Sequence, residues 1–128
     1  MRFPNDLKYT KDHEWAKADG NQVTVGITDH AQGALGDIVF VELPKVGREL
    51  KAGETFGVVE SIKAVSDLYA PIAGKVVAIN EELVGEPSAL NREPHGSAWL
   101  IKLEANASGA LDGLMDSAKY TAFVESIK

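Results

Sequence analysis

Apolar and polar positions alternate over several short stretches of this chain. In residues 22–27, Val23, Val25 and Ile27 fall on one face, the period-two pattern of a half-buried strand. Residues 13–18 form a preceding strand, and Asp19-Gly20 between the two is a strong hairpin turn signal. A short helix follows, capped by Thr28 or Asp29 and ended by Gly36. Further strands are predicted over 37–42, 56–60, 67–70, 75–79 and 98–103, with a turn at 51–54. Pro87, Asn91, Pro94 and Gly96 mark a loop-rich stretch before the last strand. The tail changes period: Leu111, Leu114, Met115, Ala118, Ala122, Phe123 and Ile127 recur at helical spacing. One or two helices packed on the sheets are therefore expected over about 108–128, after a β core spanning about 7–104.

The segment from Gly36 to Gly47 aligns without gaps on the segment from Gly74 to Gly85. Ile38 then matches Val76, Val39 matches Val77, Val41 matches Ile79 and Val46 matches Val84. Carried onward, the register sets Gly53 opposite Asn91, two residue types that tolerate positive φ. Two like half-units, each burying one sheet face, predict a sandwich with two-fold character.

The link between the half-units contains Ser61, Ile62, Lys63 and Ala64, where two extended runs meet. A tight turn there pushes Lys63 away from the body. An amine on such a stiff support is reachable by a modifying enzyme and then by several active sites.

Composition narrows the chemistry. The 128 residues are 45% hydrophobic and 25% charged, ordinary for one globular domain with a real core. The formal net charge of −6 and the scattered cations disfavour nucleic acid and anionic lipid. No apolar run is long enough to cross a bilayer. With no cysteine, any sulfur redox chemistry has to come from an attached group. Neither a signal core nor a transit-type stretch is visible at the start, which points to the cytoplasm; a processed mitochondrial-matrix chain would read the same.

Glu60-Ser61-Ile62-Lys63-Ala64 with Ser66-Asp67 resembles the lipoyl-lysine motif of the glycine cleavage system H protein family. Other family-like segments lie in order around it: His13-Glu14-Trp15, Val25-Gly26-Ile27-Thr28-Asp29, and Leu35 through Pro44. Ala70-Pro71, Gly74 and Gly96 through Leu100 continue the likeness, which runs from about Leu7 into the tail. The fold this resemblance implies is mainly β, the barrel-sandwich hybrid of lipoyl and biotinyl domains. Two antiparallel sheets related by a quasi-two-fold carry short helices and a C-terminal helical segment, in a single carrier domain over 1–128.

The same resemblance implies a carrier, not an enzyme. (R)-lipoate would be attached as N6-lipoyl-lysine at Lys63 by lipoate-attaching enzymes. The arm would take an aminomethyl group from glycine decarboxylase (P protein) and pass it to aminomethyltransferase (T protein). Dihydrolipoyl dehydrogenase (L protein) would then reoxidise it. Acidic residues matching Glu14 and Asp67 lie near the docking place of the loaded arm in the family, so both are expected to pair with it. The sequence departs from the family over Glu93 to Ala98 and at Gly33-Ala34, which alters a loop and a helix without touching the arm.

Rival readings are weaker. Biotinyl lysines are flanked by Met on both sides, whereas Ile62 and Ala64 stand here. Lipoyl domains of 2-oxoacid dehydrogenases place Asp before the lysine and lack the His-Glu-Trp segment. Ser61 and Lys63 could form the nucleophile–base pair of a hydrolase, but no G-x-S-x-G elbow accompanies them. His13, His30 and His95 are far apart in sequence and read as surface or packing residues rather than metal ligands. Glu125-Ser126-Ile127-Lys128 repeats the tetrapeptide at 60–63 but ends a helix with no returning strand, so only Lys63 is expected to be modified.

Overall fold

The computed structural model describes residues 3–105 and 111–127. The first residues of the helical segment expected from about 108, and Lys128 of the second tetrapeptide, lie outside the described residues.

Two antiparallel sheets face each other. The larger contains β1 (Lys8–Tyr9), β2 (Glu14–Asp19), β3 (Gln22–Ile27), β5 (Glu49–Leu50), β8 (Gly74–Ile79) and β9 (Ile101–Glu104), in the spatial order β1-β2-β3-β9-β8-β5. The smaller contains β4 (Ile38–Glu42), β6 (Thr55–Ser61) and β7 (Val65–Tyr69), with β6 in the middle. Ala16, Val23 and Val25 from one sheet and Val41, Val59 and Leu68 from the other fill the space between them. Burial of these side chains, together with Val76, Ile101 and Leu103, is the main force holding the sheets together.

Local chemistry accounts for the edges of the elements. The β2–β3 hairpin closes Asp19 on Gln22, and Gly20 supplies the left-handed turn at φ 62. Helix α1 (Asp29–Leu35) starts at Thr28, whose Oγ1 accepts from the Ala31 N–H, and stops at Gly36 with φ 83. Trp15 lies over its cross-strand partner Gly26, where any Cβ would collide with the indole ring at 2.5 Å.

The internal repeat is legible in the strands and ends at the loops. β4 and β8 sit in opposite sheets, and each has a bulge at the matched position: between Ile38 and Phe40, and between Val76 and Ala78. Beyond the strands the two copies part. Gly47 and Gly53 have positive φ, whereas Gly85 lies in α2 (Glu82–Gly85) and Asn91 in α3 (Ala89–Arg92). The expectation of a shared positive-φ turn at Gly53 and Asn91 is therefore corrected, as is that of a plain loop over this stretch.

The tail also differs from the periodic reading. Helix α4 covers only Ser117–Ser126, because the Asp116 carboxylate caps it by accepting the Lys119 N–H. Met115 is held out of the helix by two backbone bonds with Tyr9, at 2.8 and 2.9 Å. Leu111 and Leu114 still pack on the main core, from turns rather than from a helix. Helix α4 closes a second, smaller core with Phe3, Leu7, Tyr9 and Trp15, in which the rings of Tyr9 and Tyr120 stack 4.6 Å apart. No helix among the described residues is long and apolar enough to cross a membrane.

Candidate functional site

The hairpin between β6 and β7 ends in Ser61, Ile62, Lys63 and Ala64. The last strand pair is Glu60 with Val65, so the tip is only four residues long. Its geometry comes from one hydroxyl. Ser61 Oγ accepts from the backbone N–H of Ala64 at 3.0 Å and of Lys63 at 3.3 Å, and the Ser61 N–H donates to the Ala64 carbonyl at 2.8 Å. The side chain thus takes over an acceptor role that a backbone carbonyl fills in an ordinary tight turn.

The tip is also anchored to the corner that joins α1 to β4. The Ile62 N–H donates to the Asp37 carbonyl at 3.1 Å. The aliphatic stem of exposed Lys63 lies against Gly36: a Cβ there would stand 3.4 Å from Lys63 Cε. Asn91, reaching across from α3, holds this corner. Its Oδ1 accepts from the Ile38 N–H at 2.9 Å, and its Nδ2 donates to the Gly36 carbonyl at 2.9 Å and to Gln32 Oε1 at 3.0 Å. Lys63 therefore projects from a turn whose own backbone and whose support are both hydrogen-bonded in place.

The two candidate carboxylates have different environments. Asp67 is exposed on β7, opposite Val58. Glu14 on β2 is only 1% exposed; its Oε1 accepts from Thr10 Oγ1 at 3.0 Å and its Oε2 from the Tyr69 N–H at 3.1 Å. It so ties the larger sheet to the edge of β7, two residues beyond Asp67. Burial pushes the Glu14 carboxyl up to about 8, and the bonds from Tyr69 and Thr10 oppose that rise without cancelling it. Burial therefore favours the protonated form of Glu14 more than that of an ordinary carboxyl, whereas the reading from sequence treats it and Asp67 alike.

A model of the glycine cleavage H-protein family matches residues 7–127. The chain belongs to the glycine cleavage H-protein family. It is 56% identical over 122 residues to the glycine cleavage system H protein of Symbiobacterium thermophilum, covering 95% of both chains. To that of Myxococcus xanthus it is 52% identical over 124 residues, covering 97% of this chain and 96% of the relative. The crystal structure of a glycine cleavage system H protein from Mycobacterium marinum superposes with a TM-score of 0.89 at 40% identity, covering 96% of this chain and 99% of that one. H proteins are lipoyl carrier subunits of the glycine cleavage system and have no catalytic activity of their own. The two-sheet fold is that of the family's barrel-sandwich.

In this H-protein chain the Ser61–Lys63 nucleophile–base reading has no geometric support, because Ser61 is 9% exposed and its hydroxyl is engaged inside the turn. The histidines, distant in sequence, gather at one end of the fold. His13 Nδ1 and Thr28 Oγ1 each lie 2.7 Å from the Tyr120 hydroxyl, and the His13 and His30 rings are 4.5 Å apart. His95 Nε2 accepts from the Asp29 N–H at 3.0 Å. Burial, as the largest cause, lowers the pKa of His13 and of His95. Among the described residues no cluster of three or more potential metal ligands occurs.

Sequence reasoning missed the roles of Asn91, Gly36 and Ser61 at the tip. The separation of Asn91 from Ile38 by 53 positions leaves no local signal. Gly36 was legible as a helix stop but not as the floor beneath a lysine.

Proposed function

We propose that Lys63 is the residue of this H-protein that carries (R)-lipoate, as an N6-lipoyl-lysine amide. The observation that carries the reading is a single exposed amine at the tip of a hydrogen-bonded hairpin, within a chain matched to the family over residues 7–127. The site suits such an arm. Lys63 is exposed at the tip with its stem near Gly36, so its Nζ is open to a substituent from solvent. Amide formation removes the lysine charge and leaves an arm that, with the lysine, extends roughly 14 Å.

The dithiolane of such an arm supplies the sulfur redox chemistry that a chain without cysteine lacks. Its partners are glycine decarboxylase, aminomethyltransferase and dihydrolipoyl dehydrogenase, after attachment by lipoate-attaching enzymes. The protein contributes position and effective concentration rather than bond-breaking groups. We place this work in the cytoplasm, in keeping with the bacterial relatives.

Asp67 and Glu14 are the groups we assign to the loaded arm, in unlike roles. Asp67 is an exposed anion on the strand that returns from Lys63. Glu14 is buried, burial raises its pKa, and a cation that comes close shifts it toward the carboxylate. In water an aminomethyl thioether takes up one H2O and yields the thiol, formaldehyde and ammonium; shielding by these groups slows that loss. Asp67→Asn and Glu14→Gln should each speed it, and an unchanged loss rate removes this role.

Intact-mass measurement after expression with and without lipoate tests the main reading. One lipoyl amide should appear, map to Lys63 and vanish in Lys63→Arg. An arm on another lysine, or none, overturns it.

A further inference from the structure

Among the described residues His13 is the one non-glycine residue in the left-handed region, with φ 66. That conformation is unfavourable for an L side chain unless its surroundings enforce it. It closes the turn that leads into β2, and the next residue is Glu14. The backbone is bonded on both sides of the imidazole. The His13 N–H donates to the Thr10 carbonyl at 3.1 Å, and the His13 carbonyl accepts from the Thr28 N–H at 3.0 Å. Thr10 Oγ1 accepts from the Glu14 N–H at 3.2 Å and donates to Glu14 Oε1 at 3.0 Å. The turn thus sends two consecutive side chains to different partners: His13 to α4, and Glu14 to Thr10 and the Tyr69 N–H.

The group that holds the imidazole comes from far along the chain. The Tyr120 hydroxyl lies 2.7 Å from His13 Nδ1 and 2.7 Å from Thr28 Oγ1. Tyr120 is fully buried, and its ring packs on those of Tyr9 and Phe3, each at 4.6 Å. Phe123 of the same helix adds a ring contact to His13 at 5.9 Å. With its ring nitrogen, N–H and carbonyl all bonded, His13 has little freedom to relax to negative φ. Packing of α4 does not itself require the phenol oxygen, since a phenylalanine ring fills the same apolar space. The oxygen is the atom that reaches the β2 turn and the Thr28 cap.

We propose that Tyr120 is a positioning residue for Glu14: its hydroxyl, bonded to His13 and Thr28, holds His13 in the left-handed conformation that sets the Glu14 carboxyl against Thr10 and Tyr69. This rests on the assignment of Glu14 to the loaded arm, and it makes α4 part of the device that shelters that arm. A change of φ at His13 swings the following peptide and the Cα–Cβ direction of Glu14. The carboxyl bonds at 3.0 and 3.1 Å leave little slack for such a swing.

The test uses the full-length lipoylated protein, loaded by glycine decarboxylase with glycine, freed of that enzyme and followed by formaldehyde release. Tyr120→Phe and His13→Ala should each speed release about fivefold, the effect of one lost hydrogen bond on a two-state population. His13→Gly also lacks the imidazole but adopts positive φ without support, so it should stay within about twofold of the parent. In a Glu14→Gln background, Tyr120→Phe should add nothing further. In the unmodified protein, Tyr120→Phe should speed amide exchange at Tyr69, which donates to Glu14, and leave Val59 in the main core protected. Equal release from the Gly and Ala variants, an undiminished effect of Tyr120→Phe beside Glu14→Gln, or unchanged exchange at Tyr69 overturns the proposal. If Glu14→Gln itself leaves release unchanged, the role of Glu14 toward the arm fails, and exchange at Tyr69 still decides whether Tyr120 sets its position.

Discussion

Lys63 rests on Gly36: a Cβ at position 36 would stand 3.4 Å from the lysine Cε, and the Gly36 backbone has φ 83 and ψ −157. The residue that stops a helix is therefore also the floor of the candidate attachment site. The backbone conformation that ends α1 is one that L side chains rarely adopt, while a methyl there would meet the lysine stem only at ordinary van der Waals distance.

Gly36→Ala should separate the two effects. An L side chain at this φ costs about 1–2 kcal/mol. Thermal unfolding should fall by about 5 °C, while attachment at Lys63 should continue, since a methyl there touches the lysine stem only at ordinary contact distance. An unchanged melting temperature would mean the corner relaxes without strain.

Asn91→Ala should disturb the same corner from the other side. The Ile38 N–H and the Gly36 carbonyl both lose a partner, costing roughly 2–4 kcal/mol. Asn91→Asp keeps an acceptor for Ile38 but no donor for Gly36, so it should recover only part. Amide exchange at Ile38 and Ile62 reads this directly, and full protection at Ile62 in Asn91→Ala would show the tip to be independent of the corner.

Ser61→Ala removes the hydroxyl acceptor of the Lys63 and Ala64 N–H groups. A loss of about 1 kcal/mol is expected, with faster exchange at those two amides. Equal exchange would show that the strands alone define the turn.

Glu14 gives a pH dependence of definite sign. Its folded pKa, about 8, lies above the ordinary 4.5, so the stability present below 4.5 is lost as pH rises toward 8. Glu14→Gln removes that titration and keeps an acceptor for Tyr69. The variant should gain on the parent steadily between pH 5 and 8, by several kcal/mol; parallel urea midpoints across that range would contradict it.

His95 should act in the opposite direction. Burial lowers its pKa from 6.5, so the stability it contributes is present above that value and lost as pH falls through and below it. Gln in its place can still accept from the Asp29 N–H. His95→Gln should therefore lose less stability than the parent between pH 7.5 and 5, as measured by urea unfolding.

Much of this protein was legible before any coordinates. Alternation at Val23, Val25 and Ile27, the Asp19-Gly20 turn and the Thr28 cap are local signals, and the strands and α1 form where they predict. The hairpin tip was legible for the same reason: two extended runs separated by a few residues have little choice but to turn. The tail misled because helical spacing cannot detect that Met115 pairs with Tyr9, a contact made across the chain.

By itself the sequence determined the order of the elements, the place of the hairpin and the amine at its tip, since these depend on neighbours in the chain. Tertiary structure alone decided that Asn91 braces the tip, that burial raises the Glu14 pKa and that His13, His30 and His95 converge. It also left Phe40 and Val65 outside the core, beside Lys63. Those outcomes depend on burial and on partners brought from far along the chain, and neither quantity exists until the two sheets have closed on each other.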